Sequence, residues 1–346
     1  MTLRSRMIAI ASGALALVVL GVALLVTTPA PVLQGWLTAF VFWSGIPVGS
    51  LVLLLIHRLT GGRWGEALAP ALRPLALGTP LAALAFLPIA FALSVIFPWA
   101  AQPEAAPPGV ADYYLNAAGF LVRAIVALGG WSVLAVLFAT GRGGRLTAAF
   151  GLVFHGLVIS MVAVDWILSV DPGFSSTAFA AGIAFQQILS ALAFVAMVAP
   201  EREGSPVARD LGGLLIATLL GVVYIDFMSY VVAWYGNLPD KAAWYLARGT
   251  TGWSFAISAA VVVGAIVPLG LLLVPRLRAS REALRGIGAL ILLGVWLHVL
   301  WLLVPAFQPG AFVWAWVALA AMLLVGVGLT GSWSSDVRRW RPAHAA

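Results

Sequence analysis

The chain is a succession of long apolar runs with very little between them. Ten can be drawn, at residues 7–26, 37–59, 74–97, 114–140, 146–170, 174–199, 211–234, 253–274, 287–304 and 311–329. Each is near or above the roughly 20 residues that an α-helix needs to cross a bilayer. With 62% hydrophobic and only 9% charged residues, the chain lacks the polar surface of a soluble globular protein. The expected fold class is an all-α integral membrane protein with ten transmembrane helices, residues 1–346 forming a single polytopic domain.

The basic residues fix an orientation. Of the 19 Lys and Arg, Arg4, Arg6, Arg58, Arg63, Arg73, Arg142, Arg145, Arg202, Arg209, Arg276, Arg278, Arg281, Arg285, Arg338, Arg339 and Arg341 fall in the N-terminus, in the even-numbered gaps or at their edge (Arg58 closes the second run), and in the C-terminal tail. The odd-numbered gaps hold Lys241 and Arg248, and Arg123 lies inside a run. An incorrect helix count would scramble this separation. By the positive-inside rule both termini are expected in the cytoplasm. The same spread argues against nucleic acid as a partner despite a pI near 10.5, because the Arg excess marks six short segments and forms no single basic face. The first run follows Arg4 and Arg6 as a signal peptide would. It is too long for a signal h-region, and Thr28-Pro29-Ala30-Pro31 is poor cleavage chemistry, so it reads as a retained helix.

The loops are short. Residues 98–113 carry Pro98, Pro103, Pro107 and Pro108 and read as one surface loop. Residues 236–252 suit a short interfacial helix around 240–248, where Trp244 and Tyr245 fit the headgroup boundary. Trp36, Trp99, Trp234, Trp253 and Trp333 mark run ends and read as interfacial anchors.

Ionisable groups inside apolar runs are costly in hydrocarbon, which makes them functional candidates. Arg123, Asp165, Asp226 and His298 stand on four different runs, about nine, five, eight and six residues from the outer ends. At about 1.5 Å per residue all four lie roughly 7–14 Å below the outer surface. A shared depth on four helices suggests one polar pocket serving proton or quinone chemistry. The structural alternative is an ion pair in which Asp165 or Asp226 neutralises Arg123. His155, Gln186 and Gln187, with Ser160 and Tyr224, could extend a polar thread from the cytoplasmic side. They could equally be interhelical hydrogen-bonding groups.

With no cysteine, the chain can hold no disulfide, thiolate-bound iron–sulfur cluster or covalently attached haem. A b-type haem between helices takes two His at similar depth. His57, His155, His298 and His344 do not pair in depth, so no haem and no metal are expected.

Two stretches carry a more specific signal. The first is Val164-Asp165-Trp166-Ile167-Leu168-Ser169-Val170-Asp171-Pro172-Gly173-Phe174-Ser175-Ser176-Thr177, a helix end, a tight turn and a Ser/Thr-capped restart. The second is Trp234-Tyr235-Gly236-Asn237-Leu238-Pro239-Asp240, followed by Trp244-Tyr245-Leu246-Ala247-Arg248. Both resemble the polysulfide-reductase-type membrane subunits of alternative complex III, a bacterial quinol:electron-acceptor oxidoreductase, and the second resembles particularly the smaller, F-type quinone subunit. His57–Trp64 and Tyr113–Asn116 add to the likeness. Where that family commonly has His and an aromatic after the Asp/Glu-Pro, this chain has Gly173-Phe174. The resemblance implies two four-helix bundles, spans 2–5 and 6–9, flanked by spans 1 and 10, in the bacterial cytoplasmic membrane. It implies an accessory respiratory subunit, with quinone or quinol as its ligand and no cofactor of its own. The implied partners are a larger homologous membrane subunit, an iron–sulfur/molybdopterin-like peripheral subunit and multi-haem cytochrome c subunits.

Two other classes compete: a secondary transporter with an outer-half ion or substrate site, and a purely structural membrane anchor. A transporter would show helices broken at symmetric positions, and Pro47, Pro80, Pro88 and Pro268 do not pair between the halves. The topology is directly testable. Reporters fused within 276–285 should be active only as cytoplasmic reporters and those within 240–248 only as external ones; the reverse pattern would overturn the orientation.

Overall fold

A computed structural model describes residues 3–107, 109–198 and 206–337. Arg202, Arg338, Arg339, Arg341 and His344 lie outside the described residues. The long helices are α1 (Leu3–Val26), α2 (Pro29–Thr60), α3 (Arg63–Ala76), α4 (Ala117–Ala139), α5 (Arg145–Trp166), α6 (Phe179–Val198) and α7 (Pro206–Tyr235). They continue with α8 (Pro239–Ala247), α9 (Thr251–Val261), α10 (Val267–Leu273), α11 (Arg281–Leu303) and α12 (Ala311–Val337). No strand occurs among the described residues.

Among the described residues, eight helical segments are long and apolar enough to cross a membrane: Pro29–Thr60, Arg63–Ala90, Ala117–Ala139, Arg145–Val170, Phe179–Val198, Val207–Tyr235, Thr251–Leu273 and Arg281–Ala306. They correspond to the second through ninth apolar runs. The first and last runs give shorter apolar helical stretches, Ile10–Leu25 and Ala311–Gly326.

The third run departs most from expectation. The chain turns at Gly61 and Gly62, both at positive φ (70° and 101°), a conformation open to glycine at little cost. Helix then resumes at Arg63, well before residue 74. Beyond Ala76 it breaks into the short pieces Thr79–Ala85, Leu87–Ala90 and Leu93–Ile96. Pro80 and Pro88 cause this, since each lacks the N–H that would continue the ladder. The amide of Ile89 turns to the Phe86 carbonyl. The Ala85 carbonyl is thereby released, and the Trp36 indole donates to it at 2.8 Å. Trp36 and Trp99 are therefore not interfacial anchors. Trp99 is fully buried between Phe97 and Phe120.

A second irregularity lies in the eighth run, where residues Val262–Ile266 form a π-turn between α9 and α10. Pro268 follows directly and cannot donate to the Gly264 carbonyl, which relaxes the ladder there. The wide turn brings Gly264 against Gly294 of α11, where a Cβ on Gly264 would sit 2.5 Å from the Gly294 Cα.

Helix α2 is the central post, with 89% of its most apolar window buried. It packs on α3, α5, α6 and α12, while α6 packs in turn on α7 and α11. By contrast, α7 has 22% of its window buried and the α9–α10 segment 28%, so both present apolar surface outward. The α2–α6 contact is backbone to backbone, because Gly49 lies against the Gln187 carbonyl with no room for a Cβ. We expect Gly49→Ala to lower stability in detergent by about 1–3 kcal/mol, as overpacking does. Gly213→Ala, where nothing lies within 4 Å, should be neutral or slightly stabilising. Equal melting shifts for the two variants would refute the close approach.

Candidate functional site

The four ionisable groups resolve into two pairs, and not into the single pocket expected. The first joins α4 to α5. Asn116 caps α4 by accepting from the Gly119 amide at 2.8 Å, which sets the helix start about two turns before Arg123. From there the Arg123 guanidinium meets Asp165 in a two-point contact, Nε to Oδ2 at 2.7 Å and Nη2 to Oδ1 at 3.0 Å. The Tyr114 carbonyl accepts from Nη2 at 2.9 Å, and the guanidinium lies 3.9 Å from the Tyr114 ring centre. Asp165 is buried. Fork geometry, a carbonyl and an aromatic face together satisfy an arginine in a low-dielectric site. This pair is a closed structural unit.

The second pair is open. Asp226 on α7 and His298 on α11 approach to 3.9 Å, Oδ2 to Nδ1, beyond direct hydrogen-bond range. Counting from the helix ends, they lie about 12–14 Å below the end that carries α8. Asp226 rests on Gly182 of α6, whose absent side chain leaves it room. The Asp226 side chain is 43% exposed, and it faces a cavity of about 600 Å³ between α6, α7, α8, α9 and α11. Gln186, Ser229, Tyr230, Tyr245, Arg248, Ser254 and Ser258 also line it, among many aromatic and aliphatic side chains; neither Arg123 nor Asp165 does. The His298 ring stacks on Trp301 with 6.0 Å between centres, which fixes its plane. One oxygen placed between Asp226 and His298 could reach both, so the pair is arranged to receive a hydroxyl, which donates to one and accepts from the other.

The proposed polar thread is not assembled. His155 is buried beside Trp131, with neither ring nitrogen hydrogen-bonded. Ser160 is exposed and bonds back to Gly156 of its own helix, and Tyr224 is 65% exposed on α7. Gln187 is at the α2–α6 crossing and away from the cavity, whereas Gln186 lines it.

Sequence reasoning missed Arg248, which is 3% exposed. It donates to Asp171 Oδ2, to the Trp244 carbonyl and to the Leu302 carbonyl, each at 3.3 Å, and lies 3.7 Å from the Trp244 ring centre. Burial pushes its pKa down and the Asp171 carboxylate pushes it back up; a guanidinium stays charged under both influences. Nearby, burial and then the Asp226 charge raise the Tyr245 phenol to about 12, leaving a neutral hydroxyl donor at the cavity wall. The available signal was Arg248's position as the lone Arg of the odd-numbered gaps. Phe174 stacks on Trp244 at 4.2 Å as Asp171 meets Arg248, so the two stretches singled out in the sequence touch in space.

No group of three or more metal-ligating side chains occurs among the described residues. No protein family model matches the chain, and no curated protein is detectably similar to it.

Breaking the closed pair should be costly. Arg123→Met leaves Asp165 buried without its partner, at about 3–5 kcal/mol. The double change Arg123→Met with Asp165→Leu should recover most of that stability. Thermal unfolding of the two variants checks this, and a double variant no better than the single would show that the pair is not a self-contained unit.

Proposed function

We propose that this chain is an accessory membrane subunit of a bacterial respiratory quinol oxidoreductase of the alternative complex III type, and that its open cavity receives a quinone-class ring. The observation that supports the reading is the Asp226–His298 pair, set in an aromatic-lined cavity at membrane depth with Tyr245 beside it. A quinol ring carries two oxygens on an apolar body. Aromatic and aliphatic walls suit the body, and a carboxylate and an imidazole suit one hydroxyl. In this reading His298 Nδ1 and Asp226 Oδ2 orient that hydroxyl and take up its proton when the quinol is oxidised. The electrons leave to redox centres of partner subunits: an iron–sulfur peripheral subunit and multi-haem cytochromes c, beside a larger homologous membrane subunit. The sequence likeness at Asp165–Thr177 and Trp234–Arg248 supports this setting.

The topology completes the proposal. The chain has ten spans in the cytoplasmic membrane with both termini cytoplasmic, spans 2–5 and 6–9 forming two four-helix groups. The α8 end of the cavity then faces the outside. A transporter is the second reading, favoured by the π-turn that lines the cavity, since broken helices flank transporter sites.

The test is binding and turnover in the purified complex. Asp226→Asn and His298→Gln should each weaken binding of a decyl-tailed benzoquinol about 10-fold or more, the cost of one charge-assisted hydrogen bond. Asp165→Asn, in the closed pair, should leave that affinity unchanged in whatever complex still assembles. Full affinity and turnover in both cavity variants would remove quinol from the site.

A further inference from the structure

The cavity has two exits, and they differ in kind. Toward the loops it is covered by α8. This helix begins at Pro239, which fits the first turn of a helix because it has no N–H to leave unpaired. Its cover is held in place by Arg248, which ties three separate elements together: Asp171 after α5, the end of α8 itself, and the Leu302 carbonyl of α11. Trp244, buried under the same guanidinium, is clamped between Phe174 and Trp301. A helix with a charged anchor and a stacked indole is a fixed plug.

Toward the side the cavity is unguarded. Helix α7 meets α10 and the Pro275–Ala279 turn but hardly touches α9. The two helices therefore splay apart over the half that borders the cavity. The side chains at that margin, Val223, Phe227 and Val261, are apolar and well exposed. Among the described residues the one charged side chain on this stretch of α7, Asp226, is turned toward the cavity and His298.

We infer that the cavity is closed to water by the Arg248-latched helix α8 and open to the bilayer through the slot between α7 and α9. Its ligand is a lipid-soluble molecule whose polar head reaches Asp226 and His298 while an acyl or isoprenoid tail stays among the lipids. The inference rests on the membrane reading above, but it requires neither quinol chemistry nor any partner subunit.

The chain has no cysteine, so single introduced thiols report cleanly. Ser258→Cys places one on α9 inside the cavity, and Val126→Cys places one on the exposed face of α4 as a membrane control. The full-length protein in liposomes is treated with a charged methanethiosulfonate, or labelled with bimane in bilayers of mid-chain brominated phospholipid. We expect the Ser258→Cys thiol to resist the charged reagent and its bimane to be quenched as strongly as that of the control. Arg248→Gln should raise the charged-reagent rate about 10-fold, the factor expected for one hydrogen-bonded charge contact. Asp171→Asn, at a partly exposed carboxylate, should raise it in the same direction without risk to the fold. Rapid reaction of the Ser258→Cys thiol in the parent, absence of quenching, or no change in either latch variant would overturn the inference. Rapid reaction of the Val126→Cys control would instead overturn the membrane reading itself.

Discussion

A charge inside an apolar helix must be matched from another helix, and that constraint organises this molecule. Arg123 cannot face hydrocarbon alone. Its fork-like contact with Asp165, the Tyr114 carbonyl and the Tyr114 ring joins α4 to α5 and pairs both carboxylate oxygens with the guanidinium Nε and Nη2. Asp226 and His298 obey the same rule only in part. At 3.9 Å they are close enough to stabilise one another and too far apart to bond, and the gap opens on a cavity. One pair is complete, the other has room for a guest.

The helix irregularities serve the same division. In the third run Pro80 and Pro88 break the ladder, and Trp36 pairs the Ala85 carbonyl that the break releases with its indole N–H, so that carbonyl is not left bare in an apolar setting. In the eighth span the turn before Pro268 stays wide and lines the cavity, where Gly264 and Gly294 let two backbones meet. The first break is repaired by a side chain and becomes core. The second shapes a wall.

Much of the fold was legible in the sequence because hydrocarbon imposes a length and a polarity that can be counted. Among the described residues, eight of the ten runs appear as helices long enough to span, and the short helix near 240–248 is present as Pro239–Ala247. The third span was misplaced because Arg63–Ala76 is amphipathic, so an apolar-run criterion passed over its first half. The site was legible residue by residue but not as an arrangement. Depth along a helix follows from position at about 1.5 Å per residue, and the four candidates do sit on four helices. Which helices face one another does not follow from depth, so a common level was mistaken for a common pocket. Arg248 escaped notice for the same reason: as a loop residue it carried no penalty in the sequence, and only packing shows it buried.

The central claim is that Asp226 and His298 hold the head of a lipid-soluble molecule that enters between α7 and α9. Cryo-electron microscopy of the protein extracted with its native lipids into nanodiscs tests it most directly. We predict ring-shaped density between the two side chains, continuous with a tail that leaves through the α7–α9 slot. Native mass spectrometry of the same particles should show a retained quinone-class molecule. A closed slot with α7 packed along α9, and only phospholipid in the extract, would contradict it.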